Sequence, residues 1–171
     1  VETLRFRLET PLVVATFGGT GTGKSSLVNA LVGQEVTIAG RQRPTTKTPV
    51  LLVHPEIEID ALGLNLSEFQ VKRIETPVLR DIVLIDCPPQ LGYLTMSAVC
   101  ASTSLLMTII PERVDLASAS QFLTMASGIL EVLDSNGGVG SYDNFAYLLT
   151  RFDTAISTQQ DLSEWIRQLL G

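Results

Sequence analysis

The chain has 171 residues, of which 45% are hydrophobic and 18% are charged, and these proportions predict one globular domain rather than a disordered chain. Its net charge of -6 argues against a nucleic-acid-binding surface, because such surfaces cluster lysine and arginine. No apolar run reaches the roughly 18 residues that a membrane-spanning helix needs, and two cysteines are too few for a disulfide framework. We therefore expect a cytoplasmic protein, a monomer or weak dimer, without nucleic-acid or membrane partners.

Strands and helices alternate along the chain, which predicts an α/β fold with three layers, a mostly parallel central sheet and helices on both faces. The strands are predicted at residues 12–17, 50–53, 71–74, 79–85, 105–110 and 145–149. Helices are predicted from about Lys24 to Gly33, from Asp115 to Asn136 and from about Ser157 onward. Residues 56–70 give no clean period, and residues 95–102 are short and apolar on one side. The whole of 1–171 is predicted to form a single domain.

The last predicted helix carries an apolar stripe. Its members recur at helical spacing and are Leu162, Trp165, Ile166, Leu169 and Leu170. We interpret this stripe as core packing rather than as a cofactor-binding or membrane-binding surface.

A glycine-rich segment between the first predicted strand and helix carries the strongest chemical signal. It satisfies the pattern G-x-x-x-x-G-K-[ST] with the residues Gly18, Gly19, Thr20, Gly21, Thr22, Gly23, Lys24 and Ser25. Glycines let backbone N–H groups turn around a polyphosphate, and the start of the following helix adds the positive end of its dipole. Lys24 is predicted to reach the β- and γ-phosphates and Ser25 to coordinate Mg²⁺. Ser26, the next residue, is included among the predicted nucleotide contacts.

Hydrolysis of a bound triphosphate needs a carboxylate near the metal and a group that positions water. Asp86 ends an apolar strand at the edge where open α/β sheets bind ligands, so we predict a metal ligand there; a cap on the turn before Pro88 is the alternative. Thr45 and Thr46 lie in the long polar loop after the first helix, where a hydroxyl would complete the magnesium shell. Gln90 either orients the attacking water or is an exposed loop residue.

The residues after the last predicted strand bear on which base is bound. Thr150, Arg151, Phe152 and Asp153 are expected on the same rim as the glycine loop, because parallel strands end at one edge of a sheet. A carboxylate at Asp153 would accept hydrogen bonds from guanine nitrogens that adenine does not offer, and would thereby select GTP or GDP. A helix-capping role explains Asp153 equally well, and both interpretations stay open.

Residues 11–86 resemble the G domain of dynamin-like and translation-factor-class GTPases. The resemblance rests on the glycine loop, on the segment Arg43-Pro44-Thr45-Thr46 and on Asp86 at the end of its strand. It implies that the lysine and serine of the loop hold phosphate and magnesium, and that Thr45 or Thr46 is the switch threonine. It also implies that Asp86 begins the second switch.

Residues 82–152 resemble plasmid-partition ParA-type ATPases instead, in the segments 86–92, 94–98, 118–133 and 147–152. The tail from Asp153 onward is again similar to the GTPases. Two resemblances within one chain lead us to expect an engineered chimera with segment boundaries near 86 and 153. A natural divergent member of these families is the alternative.

Three positions depart from the patterns of the two families. Pro89 stands where GTPases have the glycine whose N–H contacts the γ-phosphate, and proline has no N–H to give. Gly19 stands where ParA-type loops carry their signature lysine, and Arg151 replaces the lysine that packs along guanine. The resemblance therefore implies impaired switching and leaves the base preference open.

The sequence thus predicts a phosphate-loop domain that binds GTP or GDP with Mg²⁺ and hydrolyses GTP weakly or not at all. Its predicted catalytic residues are Lys24, Asp86 and Gln90. Two alternatives remain. One is a chimeric scaffold without useful nucleotide affinity, and the other is a ParA-like switch that binds ATP or ADP.

Overall fold

The computed structural model describes residues 11–37, 47–62, 65–89, 92–112 and 144–170, with separate positions between 117 and 135. The strands within these residues are β1 (Leu12–Phe17), β2 (Val50–Val53), β3 (Gln70–Arg73), β4 (Ile82–Asp86), β5 (Ser104–Ile109) and β6 (Asn144–Leu149). They form one sheet in the order β3-β2-β4-β1-β5-β6. The α-helices whose bounds are described are α1 (Lys24–Val32), α2 (Tyr93–Cys100) and α3 (Ser157–Leu170).

The sheet is mostly parallel, as predicted, with one reversal. Strands β4, β1, β5 and β6 run in the same direction, so their carboxyl ends share one edge. Strand β2 is antiparallel to β4, and β3 is parallel to β2. The reversal places the first residue of β2, Val50, opposite the last residue of β4, Asp86.

Helices cover both faces of the sheet, which confirms the three-layer prediction. Side chains on a strand alternate between the two faces, and β1 illustrates this. Val13, Ala15 and Phe17 belong to a core cluster that includes Val99 of α2 and Ile166 of α3. The second cluster lies on the other face and joins Val28 and Val32 of α1 to the sheet, with Val14 packed against it.

The segment before β4 differs from its predicted strand. Residues 77–80 form a short 3₁₀ helix, and the strand begins only at Ile82. Pro77 suits the first turn of a helix because it has no N–H to donate. Leu79 is buried in the second cluster, so its apolar character reflects packing from this turn rather than strand pairing.

Three other segments complete the comparison with the sequence. Residues 56–70 contain two short 3₁₀ helices, Ile59–Leu62 and Leu66–Glu68, which explains their lack of a clean period. The short segment near 95–102 is helix α2. The described positions between 117 and 135 are helical and exposed. The predicted ends of that helix, Asp115 and Asn136, lie outside the described residues.

The apolar stripe of α3 is only partly a core surface. Ile166 is fully buried, but Trp165 is 49% exposed, so its assignment to the core was wrong. The side chains of Leu169 and Leu170 lie outside the described residues. Of the helices described, none has the length and apolar character needed to cross a bilayer.

Candidate functional site

The glycine-rich segment connects the end of β1 to the start of α1, at the edge where β4, β5 and β6 also end. Helix α1 begins at Lys24, as predicted. Gly18, Gly21 and Gly23 have φ values of 146°, 80° and 93°, which residues other than glycine rarely adopt. The loop therefore owes its shape to these three glycines.

Gly18 also makes a close approach to the neighbouring strand β5. A Cβ atom at this position would lie 2.4 Å from the carbonyl oxygen of Thr108 and 2.7 Å from its Oγ1. Both distances are shorter than any real carbon contact of this kind. The first turn of the loop can thus rest against β5 only because residue 18 has no side chain.

The side chain of Lys24 folds back into the loop. Its ammonium donates hydrogen bonds of 2.8 Å to the carbonyl oxygens of both Gly18 and Gly19. Only 6% of the residue is exposed. A positive charge is therefore held within the curve of the loop, next to backbone groups that glycine leaves accessible.

Ser25 and Asp86 meet at the other side of the loop. The Ser25 hydroxyl donates a 2.7 Å hydrogen bond to Oδ2 of Asp86, and Asp86 is fully buried at the end of β4. The pairing of β1 with β4 places Asp86 level with Thr16, just before the loop begins. The alternative of a simple turn cap for Asp86 does not account for this bond to the loop.

The charges of Asp86 and Lys24 also affect the pKa of the buried Cys87 thiol. Burial raises its pKa above the ordinary value, the Asp86 carboxylate raises it further, and the Lys24 ammonium acts in the opposite direction. This thiol is protonated at neutral pH and is not a candidate nucleophile.

The oxygen atoms at this point suit a small hard cation. Mg²⁺ prefers oxygen ligands and is held by one or two protein oxygens together with phosphates and water. The Ser25 hydroxyl and the Asp86 carboxylate, already 2.7 Å apart, are ligands of that kind. Among the described residues no cluster of three His, Cys, Asp or Glu side chains could hold a metal alone. A metal held by these two oxygens would complete its shell with water or with the oxygens of a bound phosphate.

Threonine hydroxyls tie the loop to β5 and to the end of β6. The buried Oγ1 of Thr22 lies 2.7 Å from Oγ1 of Thr108, and also donates to the carbonyl of Gly19. Thr150 comes directly after β6, and its hydroxyl donates to the carbonyl of Thr22 at 2.6 Å. Thr150 was predicted in the site, but Thr108 was not, because nothing in the local sequence marks it.

The Thr150 hydroxyl should contribute measurably to stability. Replacement by valine keeps the shape but leaves the Thr22 carbonyl without this donor, so we expect the free energy of unfolding to fall by about 1–2 kcal/mol. Urea denaturation measures the change. Thr124→Val removes an exposed hydroxyl bond to the carbonyl of Ser120 and should change stability by less than about 0.5 kcal/mol. Equal losses in the two variants would contradict the bracing role of Thr150.

Asp153 lies on the expected rim but is engaged locally. Its Oδ1 accepts a 2.8 Å hydrogen bond from the N–H of Ala155, and its own N–H donates to Oε1 of Gln159 in α3. The residue is exposed. Arg151 has a φ of 52°, in the left-handed region. The Asp153 carboxylate thus bonds the turn before α3, which begins at Ser157, and not the first turn of the helix itself. Its role in base recognition stays a prediction.

The remaining predicted contacts divide into two groups. Thr20 and Ser26 are exposed, in the loop and in the first turn of α1. Thr45, Thr46 and Gln90 lie outside the described residues, so their predicted roles remain predictions.

Asn29 is a residue of the site that sequence reasoning missed. It lies one turn beyond Ser25 in α1, and its side-chain amide bonds the backbone of Val36 and Thr37 after the helix. The signal available in the sequence was a polar amide within an otherwise apolar stretch of helix.

These features define a P-loop NTPase. A glycine loop joins a strand to a helix, its lysine turns inward, and its serine bonds the aspartate that ends the adjacent strand. The chain is a nucleotide-binding domain of this class. The AAA domain family matches residues 22–137, more than half of the chain, and the chain belongs to that family.

The curated relatives include a replication protein, a partitioning protein and a GTPase. A protein named as a replication protein A in Rhizobium rhizogenes is 42% identical over 91 residues, which cover 53% of this chain and 22% of the relative. The chromosome partitioning protein ParA of Myxococcus xanthus is 26% identical, with coverages of 86% and 51%. The GTPase Era of Thermosipho melanesiensis is 27% identical, with coverages of 72% and 40%. The chain thus spans from about a fifth to about half of their lengths.

A solved structure of an oligomerised bacterial dynamin pair has the same fold. It superposes with a TM-score of 0.64 at 15% identity, over 99% of this chain and 32% of the dynamin chain. Together with the ParA and Era relatives, this likeness confirms the prediction of a P-loop NTPase that mixes ParA-type and GTPase features.

Proposed function

We propose that this domain binds a guanine nucleotide together with Mg²⁺ and hydrolyses GTP slowly or not at all. The observation that carries the proposal is the convergence of the Lys24 ammonium and the Ser25–Asp86 pair on one glycine loop. A polyphosphate is the ligand that uses a buried cation, loop N–H groups and hard oxygen atoms at the same time.

Phosphate binding is proposed from the position of Lys24. In the structure its ammonium is bonded to two loop carbonyls, and phosphate oxygens are stronger acceptors for it because they are charged. We propose that the lysine moves from these carbonyls to the β- and γ-phosphates. Backbone N–H groups of residues 19–25, and the exposed Thr20 and Ser26, would surround the remaining oxygens.

Mg²⁺ would be held by the Ser25 hydroxyl and, directly or through water, by Asp86. We propose Thr45 and Thr46 as further ligands. A bound Mg²⁺ would supply positive charge that offsets the negative charge of the phosphates. The chain's own contribution is to keep two oxygens together at the end of β4, which the 2.7 Å hydrogen bond already does.

Weak hydrolysis is proposed from the residues that come after Asp86 in the chain. Pro89 has no N–H with which to hold the γ-phosphate, although Gln90 is proposed to orient water. We expect a turnover of roughly 10⁻³ s⁻¹ or slower, the range of a GTPase without a supplied arginine. Phosphate release from GTP measures it.

Guanine preference is proposed from Thr150 and Asp153. The bond from Thr150 to the Thr22 carbonyl fixes the start of this segment beside the loop, and Asp153 lies three residues later. A carboxylate oxygen there would accept from guanine nitrogens. The competing candidate is a ParA-like ATP site, which the match to the AAA domain family and the use of Oδ1 of Asp153 by Ala155 favour.

Melting temperatures with GDP, GTP, ADP and ATP, each with and without Mg²⁺, test the proposal. A ligand at about 100 times its Kd stabilises the native state by roughly 2.7 kcal/mol, which is about 5–10 °C for a domain of this size. We expect that shift with GDP and GTP in Mg²⁺, and a smaller one with adenine nucleotides. A larger shift with ADP or ATP would favour the ParA-like switch, and no shift with any nucleotide would favour a scaffold without affinity.

The single-domain organisation of 1–171, the segment boundaries near 86 and 153, the chimeric origin, the monomer or weak dimer and the cytoplasmic location all remain predictions. The relatives give the chimera limited support, since ParA and Era each align over most of the chain rather than over separate parts.

A further inference from the structure

The side chain of Asn29 forms hydrogen bonds with two residues just beyond the turn after α1. Its Oδ1 accepts hydrogen bonds from the N–H of Val36 at 3.0 Å, from the N–H of Thr37 at 2.9 Å and from the Thr37 hydroxyl at 3.1 Å. Its Nδ2 donates to the carbonyl of Thr37 at 2.9 Å. Four hydrogen bonds from one amide hold residues 36–37 against the helix.

The same two residues are held from two further directions. The Thr37 hydroxyl donates to the carbonyl of Ser25 at 3.3 Å, and Thr37 is buried. On the opposite side, the Lys72 ammonium of β3 donates to the carbonyl of Val36 at 2.6 Å. Residues 36–37 thus form a fixed bridge between the helix that carries Ser25 and the edge strand of the sheet.

This geometry explains why an asparagine stands within α1. Asparagine is a poor residue for a helix interior, because its amide competes for backbone groups. Here the amide bonds backbone of a different segment, and Asn29 lies four residues after Ser25, on the same face of the helix. Ser25 is therefore hydrogen-bonded to Asp86 through its hydroxyl and to Thr37 through its backbone carbonyl.

We propose that Asn29 is a positioning residue for the magnesium side of the nucleotide site. By fixing residues 36–37 against the Ser25 carbonyl, it sets the orientation in which the Ser25 hydroxyl meets a metal ion. The inference rests on the proposed function, because it concerns the part of nucleotide affinity that depends on Mg²⁺.

Nucleotide affinity measured with and without magnesium tests the role. For Asn29→Ala we expect the Kd for GDP in EDTA to change by less than about 2-fold, because the glycine loop and Lys24 are untouched. With Mg²⁺ the variant should bind about 10-fold more weakly than the wild type, a loss of about 1.4 kcal/mol. Asn29→Asp keeps the three accepted hydrogen bonds and loses the donated one, so its affinity in Mg²⁺ should lie between the two.

Amide hydrogen exchange provides a readout that does not need nucleotide. The N–H groups of Val36 and Thr37 should exchange at least 10-fold faster in Asn29→Ala, and remain protected in Asn29→Asp. Lys72→Met releases the bridge from the β3 side and should reproduce the loss of magnesium-dependent affinity. Asn65→Ala removes an exposed amide that bonds Glu68 and Ser67, and should change neither measurement.

The outcomes separate the two proposals. Equal loss of affinity in EDTA and in Mg²⁺, or unchanged exchange at Val36 and Thr37, overturns the positioning role of Asn29 alone. The positioning role is also overturned if Asn29→Ala fully retains the magnesium-dependent affinity. Wild-type protein that binds no nucleotide overturns the proposed function and this inference with it.

Discussion

Replacement of Lys24 by alanine is expected to weaken nucleotide binding about 100-fold. The ammonium lies within the loop, and a charged donor of this kind contributes roughly 3 kcal/mol to a buried phosphate contact, which is a factor of about 100 in Kd. Isothermal titration with GDP in Mg²⁺ measures the change. The loss should persist in EDTA, because it concerns phosphate rather than the metal.

Two further variants separate charge from packing. Lys24→Met keeps the apolar stem of this largely buried side chain and should lose the same affinity as the alanine variant. Arg80→Ala removes an exposed positive charge just before β4, at the opposite end of that strand from Asp86, and should bind within about 2-fold of the wild type. Unchanged affinity in Lys24→Met would contradict the proposed phosphate contact.

Replacement of Gly18 by alanine is expected to destabilise the fold as well as abolish binding. The new Cβ would lie 2.4 Å from the Thr108 carbonyl, on a residue whose φ is 146°. Overpacking and backbone strain each cost about 1–3 kcal/mol. We therefore expect the free energy of unfolding to fall by about 3 kcal/mol or more, and the melting temperature to fall by about 10 °C. Thermal and urea denaturation followed by circular dichroism measure both quantities.

Gly33→Ala is the matched control for this variant. Gly33 caps α1 with a φ of 78°, but no atom lies within 4 Å of the position where its Cβ would be. Its free energy of unfolding should therefore fall by only about 1 kcal/mol, the cost of backbone strain, and its nucleotide affinity should not change. Equal destabilisation by the two substitutions would show that contact with β5 does not restrict residue 18.

The parts of the site that the sequence predicted are those encoded by short local patterns. The glycine loop, the start of α1 at Lys24 and the position of Asp86 at a strand end are all encoded by consecutive residues, because a turn, a helix terminus and an apolar run are local events. The mostly parallel sheet was predicted in the same way from the alternation of strands and helices.

The contacts that sequence reasoning missed join distant parts of the chain. The hydroxyls of Thr22 and Thr108 are 86 residues apart in sequence, and the bond from Thr150 to Thr22 spans 128 residues. Such pairs have no period or motif, and only the folded sheet brings them together. The short helix before β4 was missed for a different reason, since Leu79 looks the same whether it packs from a strand or from a turn.

The antiparallel course of β2 determines what an insertion between α1 and β2 would affect. Thr37 is bonded to the Ser25 carbonyl and Val50 pairs with Asp86, so residues 37 and 50 both lie close to the Ser25–Asp86 pair. Loops accept changes of length more readily than strands do, so we expect an insertion between these two points to preserve the pairing of β2 with β4. The same insertion should weaken Mg²⁺-dependent nucleotide binding, because it would displace Thr45 and Thr46 as proposed ligands.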